Sequence, residues 1–218
     1  MLDLEKIFKN IRLEEYLDLS REVTLLLLEN DEIQTYDIEE ACYISQTTVN
    51  NIIRQVRESM QKSGLRLEKS GPACRTIGSE FDKRRFLMQL LFPKDCDMME
   101  EQSKKNSYFQ PLTFVEINGM VDGTLAAMGL ELDDVYLRHV VVSTAVSFQR
   151  YVNGHMETEK HEDIAINEDN AAYCFDKELI SQIYNKSGIR FPDEEFLSLF
   201  RFHMGAFREK AIRRSRNA

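Results

Sequence analysis

Gln46, Thr47, Asn50, Asn51 and Arg54 fall within one nine-residue stretch at spacings of one, three and four. On a helix these residues share one polar face. Asn and Gln can each bond adenine through two atoms, and Arg can do the same with guanine. Such a set on one helix face is what reading base edges in a major groove requires. Farther on, Arg66, Lys69 and Arg75 offer charge for backbone phosphates. Phosphate contacts supply affinity without reading sequence.

The net charge of −9 points away from nucleic acid when taken alone. Its distribution reverses that inference. Met1 to Ile44 carries four bases against twelve acids, a net of −8. Ser45 to Arg85 carries nine bases against four acids, a net of +5, and all eight DNA-contact candidates lie in it.

The elements that must position these residues can be read from periodicity and punctuation. With 218 residues, 43% of them hydrophobic, only 9 Gly and 4 Pro, the composition favours a globular, mainly helical chain. The apolar spacing predicts a helix from Ile11 to Asn30. Asp37 then reads as the cap of a short helix through Cys42, and Ser45 as the cap of one from Gln46 to about Lys62. Short helix, turn and longer amphipathic helix together form a candidate helix–turn–helix. Leu65 to Glu68 alternates apolar and polar, Lys69 to Pro72 reads as a turn, and Cys74 to Ile77 as the returning strand of a hairpin. Ser79 caps a further helix from Glu80 to Phe92. After a stretch with little apolar rhythm, four more helices are predicted, at Leu112–Met128, Asp133–Asn153, Glu168–Lys186 and from Asp193 to about Arg214. The same pattern of short and long helix also suits a pair that only packs. The basic island and the hairpin beside it favour DNA.

Other chemistries find little support. The four cysteines are scattered without a CxxC pair, which suits reduced thiols in a cytoplasmic protein. His155 and His161 flank Glu157, Glu159, Glu162 and Asp163, but a six-residue gap in a loop is poor spacing for metal ligands, and a solvated charged loop is the better reading. No phosphate-cradling or nucleophile motif is present, so neither enzyme nor cofactor is expected. No run of about 18 apolar residues predicts a membrane span, and the N-terminus carries no secretory pattern. The tail from Phe207 holds Arg208, Lys210, Arg213, Arg214 and Arg216, which suit a solvated helix end and could also touch DNA.

Ile38 to Leu91 resembles the winged helix–turn–helix of the phosphotransferase-system-linked transcription regulators. These are the mannitol-regulator and lichenan-regulator type and their Mga-like relatives. The residues that carry the resemblance are Ser45 before the recognition helix, Gly64-Leu65 at the first strand, Gly71 in the wing, and Gly78-Ser79-Glu80 with Arg84.

The remainder resembles the regulation domain of such proteins, a five-helix bundle that is usually dimeric. That family's first pattern is His, then Arg seven residues on, then Gly four after that. Arg150 and Gly154 match, and Ser143 stands where the His should be. The second pattern is Pro, Glu three on, and His seven after that. Pro192 and Glu195 match, and Phe202 stands at the His position. The resemblance implies that the family histidines take phosphate from a sugar-transport phosphocarrier. His203, one residue after Phe202, and His139, one turn before Ser143, are the candidates left for phosphorylation here. A helix-borne histidine in a polar interface is the leading reading of both, and it implies a bundle that no longer answers the relay.

The expected fold is thus mainly α. A winged helix–turn–helix with a small β-hairpin spans 1–92, a linker 93–111, and a helical regulation and dimerisation domain 112–218. The expected function is that of a homodimeric, cytoplasmic transcription regulator on double-stranded DNA, with a phosphocarrier or sugar-transport component as a further candidate partner. The alternatives are a protein-interaction module of a sugar-transport or signalling pathway and, ranked below it, an RNA-binding antiterminator. The latter would begin with a β-rich domain rather than with helices.

Overall fold

The computed structural model describes residues 4–93, 108–158, 169–207 and 212–214, with side chains over 16–93, 108–158 and 169–207. The chain divides into two compact units, Met1–Leu91 and Phe92–Ala218. Both are mainly helical; the first also carries a three-stranded antiparallel sheet and the second a two-stranded one.

The first unit begins with α1 (Leu4–Glu29), which starts earlier than its apolar spacing suggested. β1 (Ile33–Gln34) leads into α2 (Thr35–Cys42). Asp37 does not cap this helix from outside, as expected. It lies in the first turn and accepts from the Gln34 backbone N–H at 3.3 Å. α3 (Gln46–Lys62) is capped by Ser45, whose hydroxyl oxygen accepts from the Thr48 N–H at 3.3 Å. Val49, Ile52, Ile53, Val56 and Met60 form its buried stripe. Burying five such side chains contributes on the order of 10 kcal/mol before the entropy of ordering them is deducted.

β2 (Arg66–Ser70) and β3 (Ala73–Ile77) form the wing, and β1 joins β3 on the other side, giving the order β1-β3-β2. The third strand was not foreseen, since two residues carry no readable period. The hairpin turn is tighter than the expected four residues. Only Gly71 and Pro72 connect the strands, and Gly71 has φ +59°, the positive value that a two-residue turn with Gly in first place demands. Leu67, Cys74 and Thr76 point inward, and the Thr76 hydroxyl donates to the Leu27 carbonyl of α1 at 2.9 Å. α4 (Glu80–Leu91) closes the unit. Ser79 accepts from the Asp82 N–H at 3.1 Å, and fully buried Arg84 pairs with Glu80 at 3.1 Å.

In the second unit Phe92 stacks on Phe114 at 4.7 Å between centroids, and Phe109 lies 5.8 Å from Phe114. Phe109, inside the stretch read as a linker, is therefore a buried part of this unit. The rest of that stretch, over 94–107, lies outside the described residues. α5 (Phe114–Ala127) opens with a reciprocal cap: Thr113 N–H donates to Glu116 at 2.9 Å, and Glu116 N–H to the Thr113 hydroxyl oxygen at 3.3 Å. β4 (Leu130–Leu132) and α6 (Asp134–Val152) follow. Residues 140–150 of α6 are all buried, which makes it the central helix. α7 (Ala171–Ser187) is capped by Asn170 and ends at Gly188. α8 (Asp193–His203) stops well short of the expected Arg214. Ile212–Arg214 instead forms β5, antiparallel to β4, so this part of the basic tail is strand rather than helix end. An isolated three-residue strand leaves no period for the sequence to show.

Candidate nucleic-acid interface and a buried histidine network

The stripe that buries α3 leaves its other side in solvent. Gln46, Thr47, Asn50, Asn51 and Arg54 are all exposed on it. The Arg54 guanidinium donates to Asn51 Oδ1 at 3.0 Å across one turn. Arg57, also exposed, extends this face by one more turn, a residue outside the set expected from the sequence.

The wing divides its cations between two faces because successive strand side chains alternate. Lys69 is on the same side as Leu67, toward α3, and its ammonium donates to Asn50 Oδ1. Arg66 and Arg75 are on the opposite side. Arg66 pairs with Glu68 at 3.4 Å and Arg75 with Glu32 at 3.1 Å. Of the eight candidates, then, five share the α3 face, Lys69 joins them, and the two wing arginines stand apart. Burial pushes the Cys74 thiol pKa up, and the positive charges of Lys69 and Arg57 oppose that rise. Both bases thus act on the side of the wing that faces α3.

The turn before α3 holds a residue the sequence reading missed. Tyr43 has φ +54°, and Ile44 N–H donates to the Glu39 carbonyl at 3.1 Å, closing the C-terminus of α2. Its side chain is 94% exposed. An aromatic side chain lies outside the charged and amide types that mark the rest of the face.

In the second unit the two histidine candidates lie close to each other. His203 is fully buried. Its Nδ1 is 2.5 Å from Asp176 Oδ1, and its Nε2 is 3.0 Å from Ser143 Oγ. Asp176 and Ser143 are fully buried too. The Ser143 hydroxyl donates to the His139 carbonyl at 2.6 Å, so it receives rather than gives a proton at His203. Burial raises the Asp176 pKa, and the positive charge and hydrogen bond of His203 oppose that rise. His139 donates from Nε2 to the Phe202 carbonyl at 3.0 Å, and burial lowers its pKa. Phe202 itself is buried. Asp176 is the member of the network that sequence spacing did not reveal. It sits on a third helix and belongs to neither family pattern.

A serine, a histidine and a carboxylate in this order also describe the hydrolase arrangement. Here all three are sealed from solvent. A groove in the same unit is lined by other residues, among them Asp122, Leu125, Leu130, Glu131 and Leu137. Among the described residues no group of acids, cysteines and histidines is arranged to hold a metal ion, and no helix is long and apolar enough to cross a membrane.

Residues 6–91 match the family model of the Mga helix-turn-helix domain. The match covers the first unit nearly end to end. It supports a winged helix–turn–helix of the Mga-like, DNA-binding regulatory kind for that unit. No curated protein gives a significant match to this chain.

Proposed function

We propose that this chain is a transcription regulator that grips double-stranded DNA with α3 in the major groove and the wing on the flanking backbone. The observation that carries this reading is the solvent-facing row Gln46, Thr47, Asn50, Asn51 and Arg54, joined to the wing through Lys69 and lying inside the span that matches the Mga helix-turn-helix domain. The α3 row reads base edges. Lys69, Arg66 and Arg75 meet phosphates, Arg75 after leaving Glu32. The DNA-binding part spans 1–91. The segment 112–218, completed by Phe92 and Phe109, dimerises and senses a signal in the cytoplasm. Dimerisation sets two recognition helices about one turn of DNA apart.

The second unit, in this reading, works without phosphorylation by a sugar-transport phosphocarrier. Both ring nitrogens of His203 are engaged and the ring is shut away from solvent, while His139 uses Nε2 on a backbone carbonyl. Selection of bound sequences from a random duplex pool tests the DNA reading. An enriched motif whose binding weakens steeply with salt is expected, and recovery of no motif counts against it.

A further inference from the structure

We propose that Tyr43 is a DNA contact in its own right, its phenol hydroxyl donating to a backbone phosphate beside the major groove. The proposal rests on the DNA-binding reading of the first unit and extends it to a residue outside the charged and amide set.

Two observations single Tyr43 out. The first is conformation. It occupies the position after the α2 C-terminus at φ +54°, where glycine or asparagine is the usual choice because a Cβ is disfavoured there. It is the only non-glycine residue with positive φ among the described residues. The second is exposure. At 94% exposed it recovers nothing for the fold through burial, and its hydroxyl has no hydrogen-bond partner among the described residues. The other exposed large apolar side chains among the described residues, such as Tyr36 at 58%, are more covered, and none of them has a positive φ. A bulky aromatic in left-handed backbone, wholly in water, breaks a local rule without a compensating gain in the fold. Such positions cluster where function sets the residue.

Placement identifies the ligand. Tyr43 precedes Ser45, the cap of α3, by two residues and Gln46 by three. The start of a recognition helix enters the groove, and the chain leading into it passes the phosphate backbone. Tyrosine hydroxyls are established donors to phosphate oxygens in such interfaces. Glu39 and Glu40 lie on the α2 end behind it. A neutral donor suits that acidic setting, since it needs no charge to make one directed bond.

The chemistry gives the contact its own signature. A phenol releases no counterion, so losing its hydroxyl lowers affinity equally at every salt concentration. Losing a lysine contact flattens the salt dependence instead. The experiment measures full-chain binding to a selected duplex and to a scrambled one, across a salt series, for wild type, Tyr43→Phe, Tyr43→Gly and Lys69→Ala. Tyr43→Phe is expected to weaken both duplexes about tenfold with the salt slope unchanged, since a hydrogen bond to a charged partner has that order of effect. Tyr43→Gly is expected to weaken binding at least as much while melting no lower than wild type, which separates the contact from folding. Wild-type affinity in Tyr43→Phe overturns the proposal, whether or not Tyr43→Gly binds less well. So does a loss confined to the selected duplex. If the wild-type chain binds no duplex, the DNA reading itself fails, a result distinct from either of these.

Discussion

His203 and Asp176 meet across two helices at 2.5 Å, with neither side chain touching solvent. The proton count around them is constrained. The Ser143 hydroxyl gives its hydrogen to the His139 carbonyl, so His203 Nε2 must carry the proton toward Ser143. One further proton lies between Nδ1 and the carboxyl. The pair is then net neutral whichever atom holds it, and neither nitrogen keeps a free lone pair for chemistry.

That count separates a substitution at Asp176 from one at His203. Asp176→Asn can still offer a hydrogen to Nδ1, so it should cost about 1 kcal/mol. His203→Ala strands a buried carboxyl and should cost about 3–5 kcal/mol. Thermal melts of the full chain at neutral pH check the order. Equal losses would mean that the bond is not what holds α7 to α8.

The same network predicts the phosphorelay result. Incubation with a purified phosphocarrier, its kinase and phosphoenolpyruvate, followed by intact mass without acid, should show no stoichiometric phosphate. Phosphate that disappears in His203→Ala would show that the buried ring opens to the carrier. Phosphate lost only in His139→Ala would move the acceptor one turn along α6.

His139 carries the pH dependence. Burial, with the nearby charge of His203 adding to it and the bond to the Phe202 carbonyl opposing, holds its pKa below the ordinary 6.5. The folded state therefore binds fewer protons than the unfolded state just below pH 6.5. Its contribution is whole above that pH and is lost as pH falls through the lowered value. One such proton changes stability by at most about 1.4 kcal/mol per pH unit. Melts of wild type and His139→Gln between pH 7.5 and about 5 should converge in acid, with the variant losing less. Parallel curves would remove His139 from the account.

The helix–turn–helix was legible because its parts obey local rules. Ser45 caps, Val49 to Met60 form a stripe at helical spacing, and Leu67 alternates with its neighbours. What was not legible depends on partners far apart in sequence. β1 and β5 are too short to have a period, and each exists because another strand receives it. Asp176 has meaning only beside His203, 27 residues away. The Lys69–Asn50 bond spans 19 residues and follows from which face of the wing Lys69 occupies. The end of α8 at His203 was overrun because the basic residues beyond it also suit a helix terminus.

The Lys69–Asn50 bond makes the two residues one unit, and a double-mutant cycle on DNA binding should reveal it. Lys69→Ala alone should weaken all sequences and reduce the salt slope by about 1. With Asn50→Ala added, the combined loss should differ from the sum by about 0.5 kcal/mol or more. Strict additivity would mean the bond is absent when DNA is bound.

Assembly is checked by sedimentation of the full chain and of a fragment over 92–218, which keeps Phe92 and Phe109 with Phe114. Both should be dimers at tens of micromolar, roughly the range of a modest regulatory contact. A monomeric fragment beside a dimeric full chain would place the interface in the first unit.

The most direct measurement of the central claim is the affinity of wild type and Arg54→Ala for a selected duplex and its single-base variants at fixed salt. Arg54→Ala is expected to cost about 1–3 kcal/mol on the selected site and to relax preference at one base position while leaving the others intact. Unchanged affinity and unchanged preference in Arg54→Ala would contradict the placement of α3 in the groove.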